Sequence, residues 1–355
     1  MTATVNHNEL NEHIRKSYKT NVSLFVTGTM GIGKSDTIKQ TAQEIAKEEK
    51  LEFIPNGWAD GKFGLIDIRL SQFDPADLRG LPMFNTKEKT TEWLIPEILP
   101  RSGKGIIFFD ELNLATPSIQ AAAYQLILDR KLGSYELPDG WAIISAGNGT
   151  EDRANTYELP APLANRFAHV KLNPPSVDEW TQWATQNNIN NKIITYLNFK
   201  KSYLYKFDSD SNDVAFPTPR SWVFASRMIE GETKDVVVKR YIASAVGDAV
   251  ATEYIAYHKM ASQLDIDKMI KNPKDFKNPE EINVAYAIAG GLAERYNSNP
   301  KLLQNICQIW QKLKPEFTVI SMKMSKAYKP RTFNSDILRL KEWDVLSKEY
   351  SKYLM

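Results

Sequence analysis

The chain has almost none of the residues that build covalent or metal-stapled frameworks. A single cysteine, Cys307, rules out an internal disulfide, and four scattered histidines (His7, His13, His169, His258) offer no zinc-ligand spacing. Cys307, between Ile306 and Ile309 in a helical pattern, reads as a small core residue. An excess of one charge is also missing. The 45 Lys and Arg against 43 Asp and Glu leave a net +2, which makes no general case for nucleic-acid binding. No apolar run reaches the roughly 18 residues of a membrane span. The first residues, including Asn6, His7, Asn8, Glu9 and Glu12, do not resemble a secretory signal, so a cytoplasmic protein is expected. Internal repeats and low-complexity tracts are absent.

What is present is ordinary globular material: 42% apolar and 25% charged residues over 355 positions. That length suggests one to three domains of roughly 150 residues each. The most specific stretch is Gly28-Thr29-Met30-Gly31-Ile32-Gly33-Lys34-Ser35, lying between an apolar run (Val22 to Val26) and a helical segment that opens at Asp36. This is G-x-x-x-x-G-K-[ST] in the strand–loop–helix setting that a phosphate-binding loop requires. Glycines let backbone N–H groups close on phosphates, and the helix adds its positive end. Lys34 would reach the outer phosphates and Ser35 would ligate Mg²⁺. The whole stretch Gly28 to Asp36 is therefore a candidate nucleotide site for ATP or GTP.

Three further strands are expected at 63–70, 105–109 and 141–146, with helices over 8–20, 36–50 and 117–130. Strands alternating with helices predict an α/β fold with a parallel sheet, whose ligands sit at the carboxyl ends of the strands. Residues 71–100, rich in proline, look like an insertion. Phe84 and Trp93 within it are expected to pack onto the sheet, the alternative being that they grip a substrate. Pro138-Asp139-Gly140 predicts a hairpin turn in a second insertion at 131–140. Beyond Asn173-Pro174-Pro175 the pattern turns helical, most clearly over 243–258 and 283–296. Lys323, Lys326 and Lys329 read as a solvated helical face.

Asp110-Glu111 closes the 105–109 strand. An acidic pair there suits a P-loop enzyme, Asp110 holding the Mg²⁺ shell and Glu111 orienting and deprotonating the attacking water. Asn148, at the end of the neighbouring strand, could position the same water; as a bland alternative it is a turn or cap residue. Arg153, Arg166 and Arg220 are candidates for an arginine that stabilises charge on the γ-phosphate.

Taken together, Gly28 to Ser35, Phe108-Phe109-Asp110-Glu111-Leu112-Asn113, Ser145-Ala146-Gly147-Asn148, Leu163-Ala164-Asn165-Arg166-Phe167 and Thr218-Pro219-Arg220-Ser221-Trp222 resemble AAA+ ATPases of the MoxR type, within the helix-2-insert clade. The resemblance spans about residues 20–230. It implies a P-loop NTPase core over 1–173, with insertions at about 71–100 (helix-2 insert) and 131–140 (pre-sensor hairpin). A helical lid over 174–260 and a helical extension over 261–355 would follow. By resemblance, Asn148 takes the sensor 1 place, Arg166 that of an arginine finger acting on a neighbouring subunit, and Arg220 the sensor 2 place. ATP and Mg²⁺ are the implied cofactors. A hexameric ring remodelling a protein client is the implied function, the usual client of the resembled family carrying a von Willebrand factor A domain. Leu114 stands where the family commonly has arginine. A DNA-directed AAA+ motor or loader and a nucleotide-gated scaffold are the alternative readings.

Overall fold

The apolar runs at 105–109 and 141–146 become the middle of a parallel sheet in the computed structural model, which describes residues 2–149, 157–208 and 213–351. Contacts divide the chain into two units, Met1–Pro174 and Pro175–Met355.

The first unit runs through β1 (Ala3–Val5), α1 (His7–Thr20), β2 (Leu24–Thr27), α2 (Lys34–Glu48), β3 (Phe53–Ile54) and β4 (Phe63–Arg69). After α3 (Pro75–Arg79) come a hairpin, β5 (Leu81–Asn85) and β6 (Thr90–Leu94), then β7 (Lys104–Asp110) and α4 (Pro117–Asp129). A second small hairpin, β8 (Lys131–Leu132) and β9 (Tyr135–Glu136), leads to β10 (Trp141–Gly147), α5 (Ala161–Ala164) and β11 (Ala168–Leu172).

Among the described residues seven strands form one sheet in the order β1-β11-β2-β10-β7-β4-β3, every pairing parallel. β10 is buried throughout and β7 nearly so, as strands covered on both faces must be. Ile144 pairs with both Leu24 of β2 and Phe108 of β7, so Thr27, Asp110 and Gly147 finish along one edge. One core of the unit packs Phe25, Ile107 and Phe109 against Ala122, Leu126 and Ile127 of α4. α1 begins in a capping box in which the Asn6 side chain accepts from the Glu9 N–H and the Glu9 carboxylate accepts from the Asn6 N–H.

Several expectations need correction. β1, β3 and β11 were not anticipated. The 71–100 insertion is anchored by buried Leu78 and Leu99, but its hairpin does not pack onto the sheet. Phe84 is 65% and Trp93 43% exposed, with Leu81, Met83 and Leu94 also open. A two-stranded ribbon without a third layer has nothing to cover these side chains. The second hairpin turns at Gly133-Ser134, between β8 and β9. Pro138-Asp139-Gly140 instead makes the turn into β10, where the Trp141 N–H donates to the Pro138 carbonyl.

The second unit is helical: α6 (Val177–Gln186), α7 (Asn191–Phe199), α8 (Pro219–Met228), α9 (Asp235–Val246), α10 (Asp248–Ser262), α11 (Ile266–Lys271), α12 (Ile282–Ser298), α13 (Leu303–Trp310), α14 (Pro315–Tyr328), α15 (Phe333–Leu338) and α16 (Trp343–Tyr350). The helix expected over 243–258 is broken at Gly247, whose φ of +93° ends α9 and turns the chain into α10. Around the fully buried Tyr196 gather the rings of Tyr203, Trp222, Tyr254 and Tyr257, drawn from α7, the segment after it, α8 and α10. A second cluster packs Tyr296, Trp310 and Phe333 and contains Cys307, whose thiol burial pushes well above its ordinary range. The expected lysine face is not fully solvated. α14 buries Phe317, Met322 and Met324, and the half-buried Lys323 pairs with Asp178. Among the described residues no helix is long and apolar enough to cross a membrane.

Candidate nucleotide-binding site

At the carboxyl edge of the sheet, β2 gives way to the loop Gly28–Gly33, and α2 begins at Lys34. Gly33 occupies the N-cap of α2 with φ +96°, a conformation that suits glycine and strains other residues. It makes no side-chain cap, so the Ser35 and Asp36 N–H groups in the first turn of α2 stay available for an anion. The Asp36 side chain is exposed, Ile32 is buried, and Gly31 has φ +73°. Met30 is half-buried, and the Thr29 hydroxyl is buried without a partner.

Lys34 is only 8% exposed, and its ammonium is held among oxygens. It donates to the Gly28 carbonyl at 2.5 Å, the Thr29 carbonyl at 2.9 Å and Asn148 Oδ1 at 3.2 Å. Ser35 Oγ donates to Asp110 Oδ2 at 2.9 Å. Lys34, Ser35, Asp110 and Asn148, read from three separate parts of the sequence, therefore meet at one edge. Glu111 turns out of β7 in the left-handed region (φ 58°, ψ 33°), unusual for a residue with a side chain. Its carboxylate accepts from Ser71 Oγ at 2.6 Å. Asp67, on β4 nearby, has an exposed surface. Desolvation by the surrounding protein and then the Asp110 carboxylate nevertheless raise its carboxyl above the ordinary 3.8.

Two residues of this neighbourhood, His7 and Ser71, carry no motif signal, and a third, Asn113, lies inside the motif that follows Asp110-Glu111 without a role read for it from the sequence. His7 Nε2 lies 2.8 Å from the Ile32 carbonyl, and because a carbonyl only accepts, the ring proton sits on Nε2. Ser71 holds Glu111 as described. Asn113 bonds twice to the backbone of Asn148. In each case the contact joins residues 25 or more positions apart.

The arginines lie elsewhere. Arg166 is exposed between α5 and the amino-terminal end of β11, opposite the edge where the phosphate loop sits. Arg220 is exposed in the first turn of α8, in the second unit, where Thr218 and Ser221 form a capping box. Arg153 lies outside the described residues.

Among the described residues there is no cluster of three or more His, Cys, Asp or Glu side chains able to hold a metal. The paired Ser35 hydroxyl and Asp110 carboxylate are nonetheless the hard oxygen donors that suit Mg²⁺, an ion that uses few protein ligands and takes the rest from phosphate and water. The residues present therefore fit that ion beside a bound nucleotide.

No protein-family model matches the chain, and no curated protein matches it. Among solved structures, a RuvB variant of Thermotoga maritima shares 16% identity over 84% of this chain and 85% of its own, with a TM-score of 0.37. NtrX of Brucella abortus in complex with ATP shares 11% identity over 100% of this chain and 70% of its own, with a TM-score of 0.36. At those scores the likeness assigns nothing to this chain. The fold class stands on the chain's own sheet and phosphate loop: an α/β P-loop NTPase core followed by a helical region.

Proposed function

We propose that this chain is a Mg²⁺-dependent ATPase of the AAA+ type, close in organisation to MoxR-like chaperone ATPases. It would work as a ring, expected to be hexameric, that remodels a protein client. The observation that carries this reading is the convergence of Lys34, Ser35, Asp110 and Asn148 on one edge, with Glu111 directly following Asp110. Lys34 and the first-turn N–H groups of α2 would bind the β- and γ-phosphates. Ser35 and Asp110 would hold Mg²⁺, which when bound neutralises charge on those phosphates. Glu111, once released from Ser71, would take a proton from the attacking water, and Asn148 would hold that water in line.

Arg166 supports the ring. β11 separates it from the phosphate loop of its own subunit by the length of a five-residue strand, about 13 Å along the rise. An exposed arginine there cannot serve its own nucleotide and is free to serve a neighbour's. Arg220 would act as the lid arginine. A client with a von Willebrand factor A domain follows from the MoxR resemblance alone.

The test is ATP turnover with mass measured by light scattering, with and without Mg-ATP. Wild type should hydrolyse ATP with specific activity rising as subunits assemble. Lys34→Ala should lose nucleotide binding, and Glu111→Gln should bind ATP while losing turnover by about 10²-fold or more. A monomer whose turnover is independent of concentration would remove the ring.

A further inference from the structure

Directly after the acidic pair, the chain makes a short helical turn, Leu112–Leu114, that carries Asn113 inward. Asn113 is 8% exposed and spends both ends of its amide on one residue. Its Nδ2 donates to the Asn148 carbonyl at 2.8 Å, and its Oδ1 accepts from the Asn148 N–H at 3.2 Å. The reversed amide would set donor against donor and acceptor against acceptor, so the chemistry admits one orientation. The strand end is shaped to admit this side chain. A Cβ on Gly147 would lie 2.5 Å from Asn113 Oδ1, a distance at which something must shift. The Asn113 carbonyl in turn accepts from the Tyr157 N–H at 2.7 Å, which fixes the turn from its other side.

We propose that Asn113 is a positioning residue: it clamps the backbone of Asn148 and so sets the Asn148 side chain, whose Oδ1 meets the Lys34 ammonium, against the phosphate site. This rests on the ATPase reading above. Through the clamp the end of β10 is tied to the segment that carries Asp110 and Glu111, so the acid pair and the amide keep one relative position. Asn113 acts through Asn148, the residue on which both ends of its amide are spent.

A double-mutant cycle tests it. ATP turnover and mant-ATP affinity are measured for wild type, Asn113→Ala, Asn148→Ala and the double variant. Asn113→Ala is expected to lower kcat about 10- to 100-fold, the size of loss that slight misplacement of a catalytic group brings, with nucleotide affinity and KM unchanged. In the Asn148→Ala background the same change is expected to cost nothing further, because the side chain it positions is gone. Asn113→Asp guards against a folding defect. It keeps the volume and the acceptor for the Asn148 N–H, loses the donor, and should show the same loss in kcat. Equal losses in both backgrounds, or affinity falling in step with kcat, overturn the clamp. A wild-type chain that hydrolyses no ATP overturns both the clamp and the reading beneath it, whereas an active wild type with additive losses overturns the clamp alone.

Discussion

Each functional side chain at the phosphate edge is held by a partner of matched chemistry. The Lys34 ammonium sits among carbonyl and amide oxygens, the Ser35 hydroxyl meets a carboxylate, and the Glu111 carboxylate rests on the Ser71 hydroxyl. Burial elsewhere has a measurable price in pH. The His258 imidazole on α10 is pushed below its ordinary 6.5, chiefly by desolvation and then by Lys192, against a smaller pull from Asp235. A base depressed in the folded state binds fewer protons there than in the unfolded chain. Stability therefore falls as pH drops below about 6.5 and levels off once the folded-state value is passed. Thermal unfolding of His258→Gln against wild type should show the variant gaining relative stability as pH falls from above to below the ordinary 6.5. A constant difference across that range would put the titration elsewhere. At this scale the motif residues were legible because their signal is spacing along the chain. His7 and Ser71 were not, and Asn113 stood in a motif without a legible role, since each acts on a partner brought near only by the sheet.

Among elements, length decided what could be read. β7 and β10 are long apolar runs and stand out in the sequence, whereas β1 has three residues and β3 two, too short for any period to show. β11 does alternate, with Val170 and Leu172 buried, but its five residues follow immediately on an arginine motif that invites a functional reading. The break at Gly247 was hidden because α9 and α10 continue one helical pattern on either side of it. α8 illustrates how an element presents a residue. Trp222, fully buried, packs on Tyr196 and donates its indole N–H to the Tyr203 carbonyl at 2.6 Å, while Arg220 two positions earlier stays exposed. Trp222→Ala should cost about 3–5 kcal/mol of stability through lost burial and a cavity, read as a lowered midpoint in urea. The first unit should keep its nucleotide affinity, since it carries the phosphate loop. Tyr196→Phe is the contrasting case. Its hydroxyl is buried without a partner, so removing it should leave stability unchanged or raise it by about 1 kcal/mol.

For the whole molecule, the proposed ring makes a prediction about Arg166, which lies at the end of β11 away from its own phosphate loop. Arg166→Ala and Lys34→Ala subunits should each be inactive alone. Mixed, a Lys34→Ala subunit can lend its intact Arg166 to an adjacent Arg166→Ala subunit whose loop is whole, and part of the ATPase activity should return. Mixtures that stay silent at every ratio would mean that the arginine does not work across an interface.

The strand order also sets a sequence of events in time. β2, which delivers the phosphate loop, has β10 and β11 as its two neighbours in the sheet, more than a hundred residues further along the chain. β1, made before either, pairs among the described residues only with β11. A nascent chain therefore carries its phosphate loop well before it can flank it, which waits until synthesis has passed Leu172. Loop closures of that span are slow and leave apolar strands uncovered meanwhile.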